Sequence, residues 1–420
     1  MSREIQVWVS IEGEDTKAGT LFHHYKGGTE SATFLYDESY LADPSAYSLD
    51  PALPLVAGAQ PTPGGRALFN AFSDSSPDRW GRSLIRRAEV LTAKAEGRAT
   101  RSLSEVDYLL GARDDLRQGN LRFRTSDDGA FLAVPDDGVP AVNELSAILE
   151  ISARIESGDA DLAELHRMLQ AGSSLGGMRP KSHIRKADGS VAIAKFPSSK
   201  YDEWDVIAWE KVALDLAKTA GIEVPRSELV QVAGRNVLIV DRFDRTSSGQ
   251  RVGYASALTM LEATDGETRS YVDIAAALEE NSSHAGEDLG QLWRRMAFSV
   301  LISNTDDHLR NHGFLHDYGT SWRLAPAFDL NPNPEPGTKH HRTALGEDES
   351  DTASSIATLL EVAPIFRIDQ DQAIQVLSEV RDSISGWREM ARGLGLSRVE
   401  VELLEPAFEH ERAQEAADLM

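Results

Sequence analysis

The sequence predicts an α+β chain in which a small β-rich accessory region precedes a β-rich lobe and then a mostly helical lobe. Three observations predict it. Short strand-like bursts open the chain, Gly-punctuated hairpin patterns return after Gly172, and beyond Ser270 apolar residues recur mainly at helical spacing. A chain of 420 residues exceeds what one compact core ordinarily holds. We divide it at the sequence level into an accessory region, 1–165, a β-rich lobe, 166–265, and a helical lobe, 266–420.

In order, IQVWVSI, GTLFHHY and ATFLYD alternate between Gly-containing turns and predict a small twisted sheet. A Pro- and Gly-rich connection, DPALPLVAGAQPTPGG, leads into ALFNAFSDSSPDRWGRSLIRRAEVL, which reads as one helical stretch. Helices are expected over 102–113 and over 143–157, the latter from the spacing of Leu145, Ile148, Ile151 and Ile155. SHIRKADGSVAIAKF reads as a hairpin turning at Asp188-Gly189, and ELVQVAGRNVLIVDRF as a second one around Ala233-Gly234. Between them, 201–220 predicts a helix with Val206, Trp209, Val212, Ala213 and Leu216 inward, closed by Gly221 and Pro225. Leu289, Leu292, Trp293, Met296, Ala297, Val300 and Leu301 form one apolar helical face, and helical patterns return from Ala353 onward.

Composition narrows the function. The chain has no cysteine, so thiolate nucleophiles, disulfides and zinc-thiolate sites are absent, and metal chemistry must use oxygen or imidazole ligands. A formal charge of -24, from 43 basic and 67 acidic residues, repels a phosphate backbone over most of the surface. Direct DNA binding is not expected. The longest apolar runs, such as 237–240, are too short to span a bilayer, and MSREIQVWVS lacks the pattern of a secretory leader. A cytoplasmic location without membrane partners is expected.

The strongest chemical signal is ISNTDDHLRNHGFLHD, followed by a short β-hairpin and Phe328-Asp329. Asp306 precedes Asn311 by five residues, which is the spacing of a kinase catalytic loop. There an Asp orients the attacking hydroxyl, while an amide and a second Asp supply hard oxygen ligands to Mg²⁺ on ATP. Asp306, Asn311 and Asp329 take those places in order. An isolated TDDH would read as turn chemistry; the ordered set is what points to phosphoryl transfer. Lys195, on the strand VAIAKF, is placed as the lysine that contacts ATP phosphates, with Glu210, fifteen residues on, as its candidate ion-pair partner. Each alone would read as a solvated surface charge. Upstream, AGSSLGGMRPKSHI offers Gly176 and Gly177 for close backbone approach to phosphates, and Arg179 and Lys181 for charge. It lacks the GK[ST] ending of a Walker A loop, and an ordinary flexible turn is the competing reading. A β-rich lobe followed by a helical lobe is also the outline of a bilobal kinase.

These stretches, with LFNAFSDSSPDRWGR, SSLGGMRPK, IAKFPS, EKVALDLAKTAGIEVP, VDRFDR, NTDDHLRNHGFL and LAPAFDLNP, resemble the HipA family of bacterial toxin kinases over most of the chain. The resemblance implies a small N-terminal sheet subdomain on a bilobal kinase core, ATP and Mg²⁺ as cofactors, a HipB-like DNA-binding antitoxin as partner, and serine phosphorylation of a target such as an aminoacyl-tRNA synthetase. DNA would be reached only through the antitoxin. It further implies Asp306 as catalytic base, Asn311 and Asp329 as metal ligands, Lys195 as the ATP lysine, His308 as a nucleotide-site residue, and Asp241 and Phe243 of VDRFDR as the adenine-contacting hinge. Many relatives carry Glu where this chain has Asp241. Ser174 aligns with the serine that family members autophosphorylate, and Ser173 beside it is the alternative; a phosphate there would compete with the ATP phosphates. Two readings stay open beside the protein kinase: a small-molecule kinase on the same scaffold, and a catalytically idle corepressor that binds the antitoxin.

Overall fold

A computed structural model describes residues 2–125, 129–132, 138–172, 177, 179–317 and 319–419. Its first unit comprises Met1–Tyr201, Gln231–Arg235 and Ile239–Ala255; its second comprises Asp202–Val230, Asn236–Leu238 and Ser256–Met420.

The first unit starts from alternation. Strand β1 (Ser2–Ile11) buries Ile5, Val7 and Val9 completely, because side chains two apart share a face. Strands β2 (Glu14–Lys26) and β3 (Thr29–Tyr36) continue antiparallel, with Ile5 opposite Leu21 and Leu21 opposite Phe34. A bulge between Val7 and Trp8 shifts the register by one residue. After the short helix α1 (Glu38–Leu41), β4 (Ala59–Pro61) adds beside β3.

The stretch read as one helix is two, α2 (Asn70–Asp74) and α3 (Arg79–Ala95). Pro77 disfavours a helical residue before it, and Asp78 restarts the helix by accepting the Gly81 N–H at 2.7 Å. Helix α4 (Glu105–Gly111) is shorter than the expected 102–113, because Ser104 and Asp107 form a capping box that fixes its start. Strand β5 (Leu121–Arg124) then pairs with β1, giving a sheet in the order β4-β3-β2-β1-β5. Phe72 packs edge-on to Phe34 and Phe123, with ring centroids 5.7 Å and 6.1 Å apart, in the core over this sheet. Helices α5 (Leu145–Ser157) and α6 (Leu162–Gln170) follow, α5 ending at Gly158 with φ +88°. The expected hairpin forms as β6 (Lys181–Arg185) and β7 (Val191–Lys195), with Lys181 directly opposite Lys195.

Helix α7 (Val206–Thr219) starts five residues later than expected, where the Asp205 carboxylate accepts the Ala208 N–H at 3.0 Å. The second hairpin, β8 (Ser227–Val232) and β9 (Arg235–Asp241), turns at Ala233 and Gly234, both with positive φ, and completes a sheet in the order β6-β7-β9-β8.

Beyond β10 (Tyr254–Ser256) the second unit is mainly helical: α8 (Ala257–Met260), α9 (Tyr271–Asn281) and α10 (Ala285–Leu301). The strands β11 (Gly313–His316) and β12 (Trp322–Leu324) form the short hairpin expected before Asp329. Then come α11 (Ile356–Val362), α12 (Gln370–Ser385), α13 (Trp387–Gly393), α14 (Arg398–Phe408) and α15 (Glu411–Asp418). All seven apolar positions read for α10 are buried. Trp387 stacks on Phe408 at 4.6 Å and lies 6.0 Å from Trp209 of α7, anchoring the C-terminal helices; truncating such a buried aromatic costs about 3–5 kcal/mol. No helix among the described residues is long and apolar enough to cross a membrane.

Candidate functional site

Helix α10 ends in a sharp turn that aims the following loop. Ser303 adopts φ +53°, and the Asn304 N–H returns to the Ser299 carbonyl at 2.8 Å. The loop then closes on itself: the Asp306 carbonyl accepts the His308 N–H at 3.0 Å and the Asn311 side-chain amide at 3.1 Å, and the Asn311 N–H donates to the His308 carbonyl at 2.8 Å. Thus the five-residue spacing of Asp306 and Asn311 becomes a physical contact. The Asp306 carboxylate stays in solvent, 72% exposed, with Arg342 Nε 3.6 Å away. Asn311 is buried, and with its nitrogen committed to the loop its amide oxygen is the hard donor that remains.

Asp329 is brought to this loop by the segment behind it. Asn331 donates its N–H to Asn304 Oδ1 at 3.4 Å, the Asn333 N–H reaches the Ser303 carbonyl at 3.2 Å, and the Asn333 amide donates to Thr305 Oγ1 at 2.9 Å. Three hydrogen bonds therefore stitch 331–333 to the residues just before Asp306. Asp329 itself has φ +58°, a left-handed conformation that costs a side-chain-bearing residue roughly 1–2 kcal/mol. The Asn331 amide steadies it, donating to its carbonyl at 3.2 Å and to its carboxylate at 3.3 Å.

The neighbouring carboxylates have opposite fates. Asp307 is buried, where it accepts from the Tyr271 hydroxyl and from Ser299 Oγ at 3.2 Å, with His312 Nε2 3.0 Å away. Its own carbonyl accepts Thr343 Oγ1 at 2.8 Å. Burial pushes the Asp307 carboxyl up, but His312 and the Tyr271 hydroxyl outweigh it and hold the group at about 2. Burial raises the Tyr271 hydroxyl well above its usual value, and Asp307 adds to that, so it stays a donor. Asp307 therefore acts as a rivet beneath the loop that presents Asp306. TDDH carries both roles, and its sequence alone does not tell which Asp turns inward; the signal lies in His312 and Tyr271.

His308 completes the loop with an orphan: its Nδ1 is buried and has no hydrogen-bond partner among the described residues. A bound ligand is a natural partner for such an atom. Glu210, also in the second unit on α7, is 3% exposed and is not a solvated surface charge.

In the first unit, Lys195 closes β7 and is partly exposed. Lys181, opposite it, is buried in an ion pair with Asp78 at 2.8 Å, which offsets the repulsion of two facing lysines. Burial raises the Asp78 carboxyl against the pull of Lys181. Gly177 has φ +117°, and a Cβ there would come within 2.8 Å of Lys181 Nζ, so this position needs glycine. Gly176, Ser173 and Ser174 lie outside the described residues. Asp241 accepts Lys186 Nζ at 2.7 and 3.0 Å, and Phe243 sits 6.3 Å from Tyr254. The remaining polar residues of VDRFDR, which sequence reasoning left without a role, form a buried knot. Arg242 grips Asp244 and the carbonyls of Leu116 and Arg117, and Asp244 accepts the Gly119 N–H at 2.8 Å.

The donor set fits Mg²⁺. One carboxylate and one amide oxygen are hard ligands, and Mg²⁺ ordinarily takes only one or two carboxylates, with water and phosphate filling its octahedron. No group of three or more His, Asp or Glu suited to an all-protein metal cage occurs among the described residues.

Comparison with known proteins assigns the family. The family model of the HipA-like C-terminal domain matches residues 173–387, just over half of the chain. The chain is 24% identical over 193 residues to a candidate kinase of Haemophilus influenzae, covering 40% of this chain and 55% of that protein. It is 30% identical over 156 residues to a candidate kinase, Y4dM, of Sinorhizobium fredii, covering 34% of this chain and 37% of that protein. The matches thus span about half of the first relative's length and little more than a third of the second's. A chain of the solved Shewanella oneidensis MR-1 complex of the toxin–antitoxin system HipA, HipB and its operator DNA superimposes with a TM-score of 0.63 and 13% identity, covering 99% of this chain and 97% of that one. At that identity the likeness is one of fold. The chain belongs to the family of the HipA-like C-terminal domain and shares the α+β fold of that matched chain.

Proposed function

We propose that this chain is an ATP- and Mg²⁺-dependent kinase that transfers the γ-phosphate to a serine of a protein substrate and that a HipB-like DNA-binding antitoxin neutralises it. The observation that carries the reading is the exposed Asp306 carboxylate on a loop closed by Asn311 and stitched to the segment after Asp329. The two relatives named as candidate kinases support the activity, and the HipA–HipB–DNA complex supports the partner.

In this reading Asp306 accepts the proton of the serine hydroxyl and orients its oxygen toward the γ-phosphorus. Asn311 and Asp329 hold the metal, Lys195 binds ATP phosphates with Glu210 as its partner, and His308 turns its orphaned Nδ1 to the nucleotide. Asp241 and Phe243 line the adenine side. Bound Mg²⁺ supplies charge neutralisation on the ATP phosphates. Lys181, which Asp78 holds at 2.8 Å, is assigned with Gly176 and Gly177 to the phosphate side of the nucleotide. Phosphorylation of Ser174 or Ser173 switches the enzyme off by electrostatic competition with ATP, and an aminoacyl-tRNA synthetase is the first target to test.

The test is γ-labelled ATP incubated with the purified chain and a cell lysate, beside Asp306→Asn. A labelled protein band present with wild type and reduced at least about 100-fold in the variant supports the proposal. Label in a small metabolite supports a small-molecule kinase, and no turnover by wild type supports the idle corepressor. Phosphopeptide mapping of active protein without phosphate on either serine rejects the autoregulatory part.

A further inference from the structure

Helix α10 carries a second feature that phosphoryl transfer does not use. Its N-terminal half borders a cavity of about 570 Å³ in the second unit, in the size range of small-ligand sites. Four arginines line it: Arg294, Arg295, Arg323 and Arg367. Three have partners. Arg294 binds Glu379 at 2.8 Å and the Ala220 carbonyl at 2.9 Å; Arg323 forks onto Asp288 and reaches Glu287 at 3.2 Å; Arg367 pairs with Glu279. Arg295 is different. It is 4% exposed, its Nε is enclosed without a partner, and no hydrogen bond or ion pair reaches its guanidinium from the described residues.

A buried cation without a hydrogen-bond partner costs several kcal/mol, and native structures hold few of them. The acids nearby do not fill the gap. Asp288 is already taken by Arg323, Ser282 Oγ at 2.6 Å and the Leu324 N–H at 3.1 Å, while Glu223 is exposed and makes no ion pair with Arg295. We infer that this cavity is a binding site for a small oxoanion, a phosphate or a carboxylate, with Arg295 as its principal donor. The planar fork of a guanidinium matches the paired oxygens of either group. The lining holds four arginines against Glu223, Glu287, Asp288 and Glu379, so the site is near neutral and suits a ligand of low charge, not a polyphosphate. Burial lowers the Arg295 pKa to about 10 against the pull of Glu223, Asp288 and Asp307, so the residue is still a cation at neutral pH.

Two variants test the site in the full-length protein. Arg295→Met removes the donor. Gly290→Leu keeps it and fills the cavity: Gly290 lines the cavity, and a Cβ there meets nothing within 4 Å, so the helix accepts the side chain. Calorimetric titration in phosphate-free buffer at fixed ionic strength uses inorganic phosphate in one arm and acetate in the other. Saturable binding of either ion by wild type, weakened at least about 10-fold in both variants, is the expected result, and the preferred ion tells a phosphate monoester from a carboxylate ligand. If Arg295→Met does not fold, Gly290→Leu decides alone. No saturable binding of either ion, or undiminished binding in Gly290→Leu, overturns the inference whatever the outcome of the phosphotransfer assay.

Discussion

Replacing Asp307 with asparagine separates the residue that holds the loop from the residue that acts on it. The substitution keeps shape and one acceptor oxygen but removes the charge that faces the Tyr271 hydroxyl, Ser299 Oγ and His312. A carboxyl held at about 2 against its ordinary 3.8 contributes on the order of 2 kcal/mol to stability at neutral pH. Because folding lowers this pKa, the contribution is complete above about pH 4 and fades as pH falls toward about 2. Urea unfolding followed by tryptophan fluorescence is a suitable assay, since Trp209, Trp293 and Trp387 are all buried in the second unit. Asp307→Asn should lose about 2 kcal/mol at pH 7, and its deficit against wild type should shrink between about pH 4 and pH 3. Equal midpoints at pH 7, or a deficit that stays constant through the acid range, would refute the assignment of Asp307 as an ionised rivet.

Two other perturbations follow from the same geometry. Asp329→Gly relieves the φ of +58°, so its unfolding free energy should equal or exceed that of wild type, by up to about 1 kcal/mol, while the labelled-ATP assay shows phosphotransfer lost. Asp78→Ala strands Lys181 and removes the cap of α3, and denaturant titration should show a loss of about 3–5 kcal/mol; the double variant Asp78→Leu with Lys181→Met should recover most of it.

The helical lobe was legible from the single apolar stripe on α10, and the β-rich lobe from its two hairpin turns, because these are local signals that tertiary packing did not have to overrule. Strand β5 was not, because four residues, LRFR, are too few to show alternation and their partner lies at the start of the chain. The break between α2 and α3 was written in Pro77 and Asp78 but hidden by helix-forming residues on both sides. At the site, the Asp306–Asn311 spacing translated directly into a contact. What stayed hidden were the supports: the inward turn of Asp307, and the clasp of Asn331 and Asn333 on 303–305, which depends on chain segments nearly thirty residues apart. Glu210 and Lys181 look like ordinary surface charges in sequence, and only burial distinguishes them.

The most direct measurement is a crystal structure grown with Mg²⁺ and a non-hydrolysable ATP analogue. The Asn311 amide oxygen and an Asp329 carboxylate oxygen should lie at about 2.0–2.1 Å from the metal, with Asp306 facing the terminal phosphate. A metal bound elsewhere, or Asp306, Asn311 and Asp329 turned away from the triphosphate, would contradict it.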